Sequence, residues 1–361
     1  MDILNRYKNK PFIKIIIGIR KVGKSTILRQ FCDSIKDKKA NKHFFDFNDF
    51  EFKMQINDKF KLHEIIKKNY KRDVKNYFFF DEIQVIDEFQ EVLNSWSNYE
   101  NVDIYVTGSN SKLLSSEIST LITAKNITLT VYPLVFSEYY DYAKNILHFN
   151  TKQAFENYFK YGGMPGRLHW DIEEDIWKYL NMIFSDILQH DILNREQIVN
   201  IEEFISIYYY LQNNLGKETS LMNICSYLNN LKSSISLPII SKYTKILLNC
   251  FLIQKINKYD LAGKKILDNK IKYYPFDIGM RNSIAKTFAN NREKILEAIV
   301  LNELLYRGYE VNIGTSQSIS EIDFIAHKNG NTIYIQICEH LTDDIKDKEI
   351  KNLLKLKIFW N

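Results

Sequence analysis

The stretch FIKIIIGIRKVGKSTILRQF, residues 12–31, spaces two glycines, a lysine and a hydroxyl residue as Gly18-x-x-x-x-Gly23-Lys24-Ser25. Those types at that spacing suit one chemistry. Glycines let successive backbone N–H groups wrap phosphate oxygens, a following helix turns its positive end toward them, a lysine reaches the β and γ phosphates, and a serine hydroxyl ligates Mg²⁺. The expected nucleotide-binding positions are Gly18, Arg20, Lys21, Val22, Gly23, Lys24, Ser25 and Thr26, with ATP and Mg²⁺ as cofactors. The competing reading, a glycine turn that holds nothing, is weakened by the context: a β-branched run at 13–17 precedes the motif and a helical pattern with Ile27, Leu28 and Phe31 follows it.

A phosphate loop needs a second strand to hold the metal, and NYFFFDEIQ supplies it. Four aromatic residues, Tyr77 to Phe80, read as a strand buried on both faces, with Asp81 and Glu82 emerging at its C-terminal end, where ligands gather in parallel sheets. Asp81 is expected to hold Mg²⁺ through water, and Glu82 to polarise the attacking water; an adjacent acid of this kind points to hydrolysis rather than transfer to another substrate. On its own, an Asp-Glu pair reads more readily as a solvated turn, and the phosphate loop upstream reverses that preference. The strand VDIYVTGSNS ends in polar residues that can reach the γ-phosphate or the water. Asn110 is the expected sensor, with Ser109 as the alternative or as a plain helix cap.

A second set of chemistry-bearing residues lies near the far end, in SEIDFIAHKNGNTIYIQICEHL, residues 320–341. Glu321 and Asp323 open a strand, a Lys-Asn-Gly-Asn turn follows, and the returning strand carries Gln336 and Cys338. With Glu297 on the preceding helix, this layout resembles the way restriction-endonuclease-type nucleases hold Mg²⁺. Glu297, Asp323 and Gln336 take the ligand positions and Cys338 stands where a lysine is expected. Gln336 offers a metal only a neutral carbonyl oxygen, and Cys338 is neither an ammonium nor a hard ligand. The expectation is a nuclease-like scaffold with a degenerate site.

The elements that must position these groups follow from periodicity. Strands at 13–17, 43–47, 77–80, 103–107 and 126–131, alternating with helical patterns, give an α/β fold with a five-stranded parallel sheet. After Tyr140 the chain reads as helical. Gly162-Gly163-Met164-Pro165-Gly166 breaks that pattern as a helix terminator or a hinge, and amphipathic helices are expected at 176–193 and 201–215. From Thr219 to Phe276 the order is helix, turn, helix, hairpin, that of a winged helix. Ser241, Lys242, Tyr243 and Lys245 on its second helix, with Lys258, Lys264, Lys265, Lys270 and Lys272 on the wing, could grip duplex DNA, although the same module often serves only for packing.

Bulk properties exclude more than they assign. A chain of 361 residues, 45% hydrophobic, supports two or three cores and is not a disordered polymer. A net charge of +5 carries little weight as a nucleic-acid signal. Four cysteines without a C-x-x-C pair argue against structural zinc and a disulfide framework. The leading segment MDILNRYKNK lacks an apolar core and no run is long enough to span a bilayer, so the expectation is a cytoplasmic protein with no membrane association.

Taken together, GIRKVGKST, FFFDEIQ, VTGSNSKLLS, YPLVFSEYYDY, YGGMPG and EIDFIA, in this order, resemble the prokaryotic AAA+-type ATPases that carry a C-terminal domain of unknown function called DUF4143. SDILQHDILNR and YYPFDIGMRN fit as well, so the resemblance spans nearly the whole chain. It implies a lid over the nucleotide at the helices that follow the ATPase domain. One departure stands out. Where the family reads Gly-Arg, this chain has Ala124-Lys125; if that arginine stabilises transition-state charge, Lys125 keeps the charge without the planar fork and a slow ATPase follows, the alternative being that Lys125 is a solvated loop residue.

The expected organisation is an AAA+-like P-loop ATPase domain at 1–140, a helical lid at 141–215, a winged helix at 216–285 and a nuclease-like domain at 286–361. The leading functional expectation is an ATP-hydrolysing switch whose C-terminal region binds DNA or a protein, with homo-oligomerisation open. Its rivals are an ATP-gated, metal-dependent nuclease acting in defence, which Cys338 opposes, and a scaffold that binds nucleotide for stability alone, which Glu82 opposes.

Overall fold

The computed structural model describes residues 1–108, 126–194, 196, 198–230, 235–285, 291–316 and 321–340, the side chains of 268 and 269 excepted. They form two compact units that divide between Val131 and Tyr132, ahead of the expected boundary at 140.

The first unit is built on a parallel sheet of five strands: β1 (Ile13–Ile17), β2 (Asn41–Asp46), β3 (Asn76–Asp81), β4 (Val102–Gly108) and β5 (Asn126–Thr130), in the order β2-β3-β4-β1-β5. The runs of β-branched and aromatic residues explain the burial. β1, β3 and β4 are covered on both faces along their whole length, which is what a parallel sheet sandwiched between helices requires. Phe79 stacks on Tyr105 with ring centroids 5.0 Å apart, and Phe80 on Phe45 at 5.2 Å. Helices Lys24–Ser34, Lys59–Asn69 and Phe89–Ser97 cover the faces. β4 separates β3 from β1, so the ends of those three strands come out side by side.

A polar exception sits inside this sheet. Lys14 and Asp103 are both buried and paired. Lys14 also donates to the Lys10 carbonyl at 2.7 Å, while Asp103 accepts from the Asn9 N–H at 2.8 Å and the Tyr105 hydroxyl at 3.0 Å. With every charge partnered, the pair is tolerated in the core and ties the turn before β1 to β4.

The second unit opens with helices Phe136–Asn145 and Thr151–Tyr161. The latter ends at Gly162, whose φ of +69° only glycine adopts freely and where a Cβ would lie 2.3 Å from the Gly279 nitrogen. The run from Gly162 to Gly166 therefore terminates a helix in a fixed contact: Asp277 accepts the Gly163 N–H at 2.7 Å and the Met280 N–H at 2.8 Å, clamping the turn to the start of helix Ile278–Ala285. Helix Ile201–Asn213, helix Leu221–Asn230 and helix Leu237–Asn249 follow.

A mixed sheet completes this unit: β6 (Ile253–Asp260), β7 (Lys265–Pro275), β8 (Glu310–Thr315), β9 (Ile322–Lys328) and β10 (Asn331–Ile335), ordered β10-β9-β8-β6-β7. The hairpin read as a wing and the strands read as nuclease-like thus share one sheet, which crosses the expected division at 285. β6 and β8 join the two halves by parallel pairing. Helix Arg292–Tyr306 supplies Ile295, Ala298 and Leu301 to the core beneath the sheet. No described helix is long and apolar enough to cross a membrane.

Candidate functional site

β1 delivers the chain to Gly18, whose φ is +149° and where a Cβ would stand 2.4 Å from the Val131 carbonyl oxygen, so a side chain cannot begin this loop. Gly23, at φ +99°, turns the chain into helix Lys24–Ser34. The Lys24 ammonium is buried at the centre of the bend, donating to the carbonyls of Gly18 at 3.0 Å and Ile19 at 3.1 Å. Arg20, Lys21, Gly23, Lys24, Ser25 and Thr26 line a cavity of about 280 Å³ together with Glu82 and Asn48. That volume is at the small end for ligand sites and suits the phosphate end of a nucleotide. Val22 is buried and does not line it.

β3 brings its two acids to the same place. Asp81 is almost wholly buried, and its Oδ1 accepts the Thr107 hydroxyl from the adjacent β4. Thr107 in turn accepts the Glu82 N–H at 2.9 Å, so one hydroxyl fixes both residues. Asp81 Oδ2 is buried with no hydrogen-bond partner. Burial pushes the Asp81 carboxyl above its ordinary range, the hydroxyls of Thr107 and Ser25 oppose that, and the charges of Glu82 and Asp46 add to it. An unpaired hard oxygen beside a serine hydroxyl is the donor set a small divalent cation takes, so the residues present fit Mg²⁺. Glu82 itself is held in the left-handed region at φ +58°, its Oε1 is 4.0 Å from the Lys24 ammonium, and its Oε2 accepts from the Gln84 side-chain amide.

The second cluster also assembles. Glu297 is buried; Oε2 accepts the Tyr274 hydroxyl at 2.9 Å and Oε1 pairs with Lys294 one turn away. Asp323, at the start of β9, accepts the Ile337 N–H at 2.8 Å. Burial, and after it the charge of Glu297, pushes the Asp323 carboxyl up to about 6. The expectation that Gln336 and Cys338 lie on the second strand is corrected: β10 ends at Ile335, and the Gln336 side-chain oxygen accepts the backbone N–H of Asp323 at 3.4 Å. Glu321, two residues before Asp323, is bonded to Lys272 and, at 2.8 Å, to Lys258, which also holds Glu218 at 2.7 Å, and its charge acts on Tyr274 and Lys294 together with those of Glu297 and Asp323. Two of the five wing lysines are therefore buried and neutralised. Tyr243 is likewise buried, its hydroxyl accepting the N–H groups of Val199 and Asn200.

Residues 10–140 match the model of the AAA domain family, and residues 152–291 match a domain of unknown function, DUF8612. An uncharacterized protein of Haemophilus influenzae is 34% identical to 98% of this chain, over 88% of its own length. An uncharacterized protein of Methanocaldococcus jannaschii is 31% identical to 94% of the chain, over 77% of its own. The chain belongs to their family. Its first unit has the P-loop NTPase fold, and the protein is of the AAA type in general. The model matching the region after the AAA domain is DUF8612, a different domain from the DUF4143 that the motifs resemble. The fold is also similar to that of the Walker-type ATPase PABY2304 of Pyrococcus abyssi, at a TM-score of 0.55 and 15% identity, covering 78% of this chain and 93% of that one.

The structure brings together Gly18, Lys24, Ser25, Asp81 and Glu82 in this AAA unit, and Glu297, Asp323 and Gln336 in the second. Ser109, Asn110 and Lys125 lie outside the described residues. Three polar residues that the sequence reading did not assign to a site belong here: Thr107, Asn48 and Gln84. Asn48 follows the C-terminal end of β2, where a parallel sheet collects ligand groups, and that position was a usable signal.

Proposed function

We propose that the chain is an ATP-dependent switch: the AAA unit binds Mg-ATP and hydrolyses it slowly, and the cycle alters what the second unit binds. The observation that carries this is the buried Asp81 carboxylate, its Oδ2 without a hydrogen-bond partner, beside the Ser25 hydroxyl that lines the cavity with Lys24. On this reading Lys24 leaves the loop carbonyls for the β and γ phosphates, Ser25 and Asp81 hold the cation, Glu82 takes a proton from the attacking water, and Asn110 or Ser109 orients that water. When bound, Mg²⁺ neutralises charge on the transferring phosphoryl group. Lys125, in place of an arginine, keeps turnover slow.

For the second unit the favoured partner is duplex DNA. Helix Ile201–Asn213, the single antiparallel bridge between Glu218 and Lys272, helices Leu221–Asn230 and Leu237–Asn249 and the β6–β7 hairpin follow the winged-helix order. Exposed Lys242 and Lys245 on the last helix and exposed Lys264, Lys265 and Lys270 on the hairpin are the contacts, with Lys258 and Lys272 removed from the list by their burial. The nuclease-like cluster does not cut on this reading, because both Glu297 oxygens are engaged by Tyr274 and Lys294 and Gln336 serves the backbone.

Calorimetry and turnover test the central reading. Lys24→Ala should abolish Mg-ATP binding, while Glu82→Gln should bind ATP and lose at least about 100-fold in turnover. Unchanged ATP affinity in Lys24→Ala overturns it.

A further inference from the structure

Gln84 performs no task in the scheme above, yet its side chain is set against the reacting centre. Glu82 is fixed at its backbone by Thr107, and the chain then makes one tight turn, Ile83–Val85, anchored by fully buried Ile83 and by Ile86. That turn folds Gln84 back so that its amide nitrogen donates to Glu82 Oε2. The amide oxygen is buried with no hydrogen-bond partner. A buried amide normally satisfies both ends. This one leaves its acceptor empty in order to keep its donor on the carboxylate, and rotating it would set oxygen against oxygen. The other oxygen of Glu82 faces the Lys24 ammonium at 4.0 Å.

We propose that Gln84 is a positioning residue for ATP hydrolysis, holding Glu82 Oε2 so that Oε1 is the oxygen that acts as base. The inference rests on the ATPase reading above. As Lys24 turns to the phosphates, Oε1 is released while Oε2 stays clamped. Oε1 then accepts a proton from water as the water oxygen bonds to the γ-phosphorus. The bond from that phosphorus to the β–γ bridging oxygen breaks, its electron pair leaves with ADP, and the proton passes from Glu82 to the phosphate product.

A double-mutant cycle with calorimetry tests this. Gln84→Ala should lower kcat about tenfold while Mg-ATP affinity stays within about twofold, and in a Glu82→Gln background it should cost nothing further, because the residue acts only through Glu82. In nucleotide-free protein, the side-chain amide resonance that disappears in Gln84→Ala should move on Glu82→Ala. Equal losses from Gln84→Ala with and without Glu82, an unchanged kcat, a fall in ATP affinity that accounts for the whole effect, or an amide resonance indifferent to Glu82 each overturn the proposal. Hydrolysis by the wild type with Gln84→Ala unaffected overturns this inference alone. A wild type that binds ATP and never hydrolyses it overturns the ATPase reading as well.

Discussion

Asp323 carries the clearest consequence at the scale of single residues. Its carboxyl is raised to about 6 by burial and by Glu297, against an ordinary value of 3.8. A raised carboxyl adds stability below its unfolded value, and that contribution is lost as pH rises through the folded one. The wild type therefore bears its full penalty above pH 7. Asp323→Asn, neutral throughout, should be more stable at pH 7.5 by up to about 3 kcal/mol, with the gap closing between pH 6 and 4. Urea titrations at four pH values measure it, and a gap that does not change with pH would show that Asp323 is not the buried acid described. The same residue tests the nuclease alternative. Plasmid and single-stranded DNA should survive in Mg²⁺ or Mn²⁺ with ATP present. Cleavage that vanishes in Asp323→Ala would show that the site works without the lysine that Cys338 replaces.

Among elements, the turn after helix Thr151–Tyr161 and the start of helix Ile278–Ala285 depend on one carboxylate. Asp277 is buried, accepts N–H groups from Gly163 and Met280, and lies beside Gly162 at a spacing that excludes any Cβ. Each buried donor left without an acceptor costs about 1–3 kcal/mol. Asp277→Ala should therefore destabilise the protein by about 3 kcal/mol or more. Asp277→Asn, which keeps one acceptor, should fall between. Denaturant midpoints report both, and a near-neutral Asp277→Ala would return the glycine run to the status of a flexible hinge.

For the whole molecule, the switch reading makes a demand that one unit alone cannot meet: occupancy of the AAA unit must change the affinity of the other for its partner, and reciprocally. Glu82→Gln held in ATP should bind duplex DNA with a different affinity from the nucleotide-free protein. Replacing Lys264 and Lys265 together by alanine should flatten the dependence of log affinity on log salt by roughly two units. Replacing Lys258 or Lys272 should lower stability instead, since each buried lysine leaves half-buried Glu321 with one partner fewer. No binding at low salt in any nucleotide state would leave the winged-helix order as a packing device.

The phosphate loop and the parallel sheet were legible in the residues because their determinants are local. Gly18 and Gly23 sit where a side chain is forbidden or the backbone is left-handed, the aromatic run before Asp81 can only be a strand covered on both faces, and each motif is complete within a few residues. What the sequence could not supply was the pairing of groups far apart in the chain. Nothing at position 107 announces that its hydroxyl will hold both acids of β3, because that follows from β4 lying between β3 and β1. The lysines of the hairpin read alike one by one. Only the parallel pairing of β6 with β8 carries Lys258 and Lys272 to Glu321 and leaves Lys264 and Lys265 in water. Alternation along a strand put the degenerate position Gln336 on the face that meets Asp323, and although the strand stops one residue short of it, its side-chain oxygen does reach the Asp323 N–H. Burial and partnership are properties of the folded chain, and they decided which of the charged residues were available for chemistry.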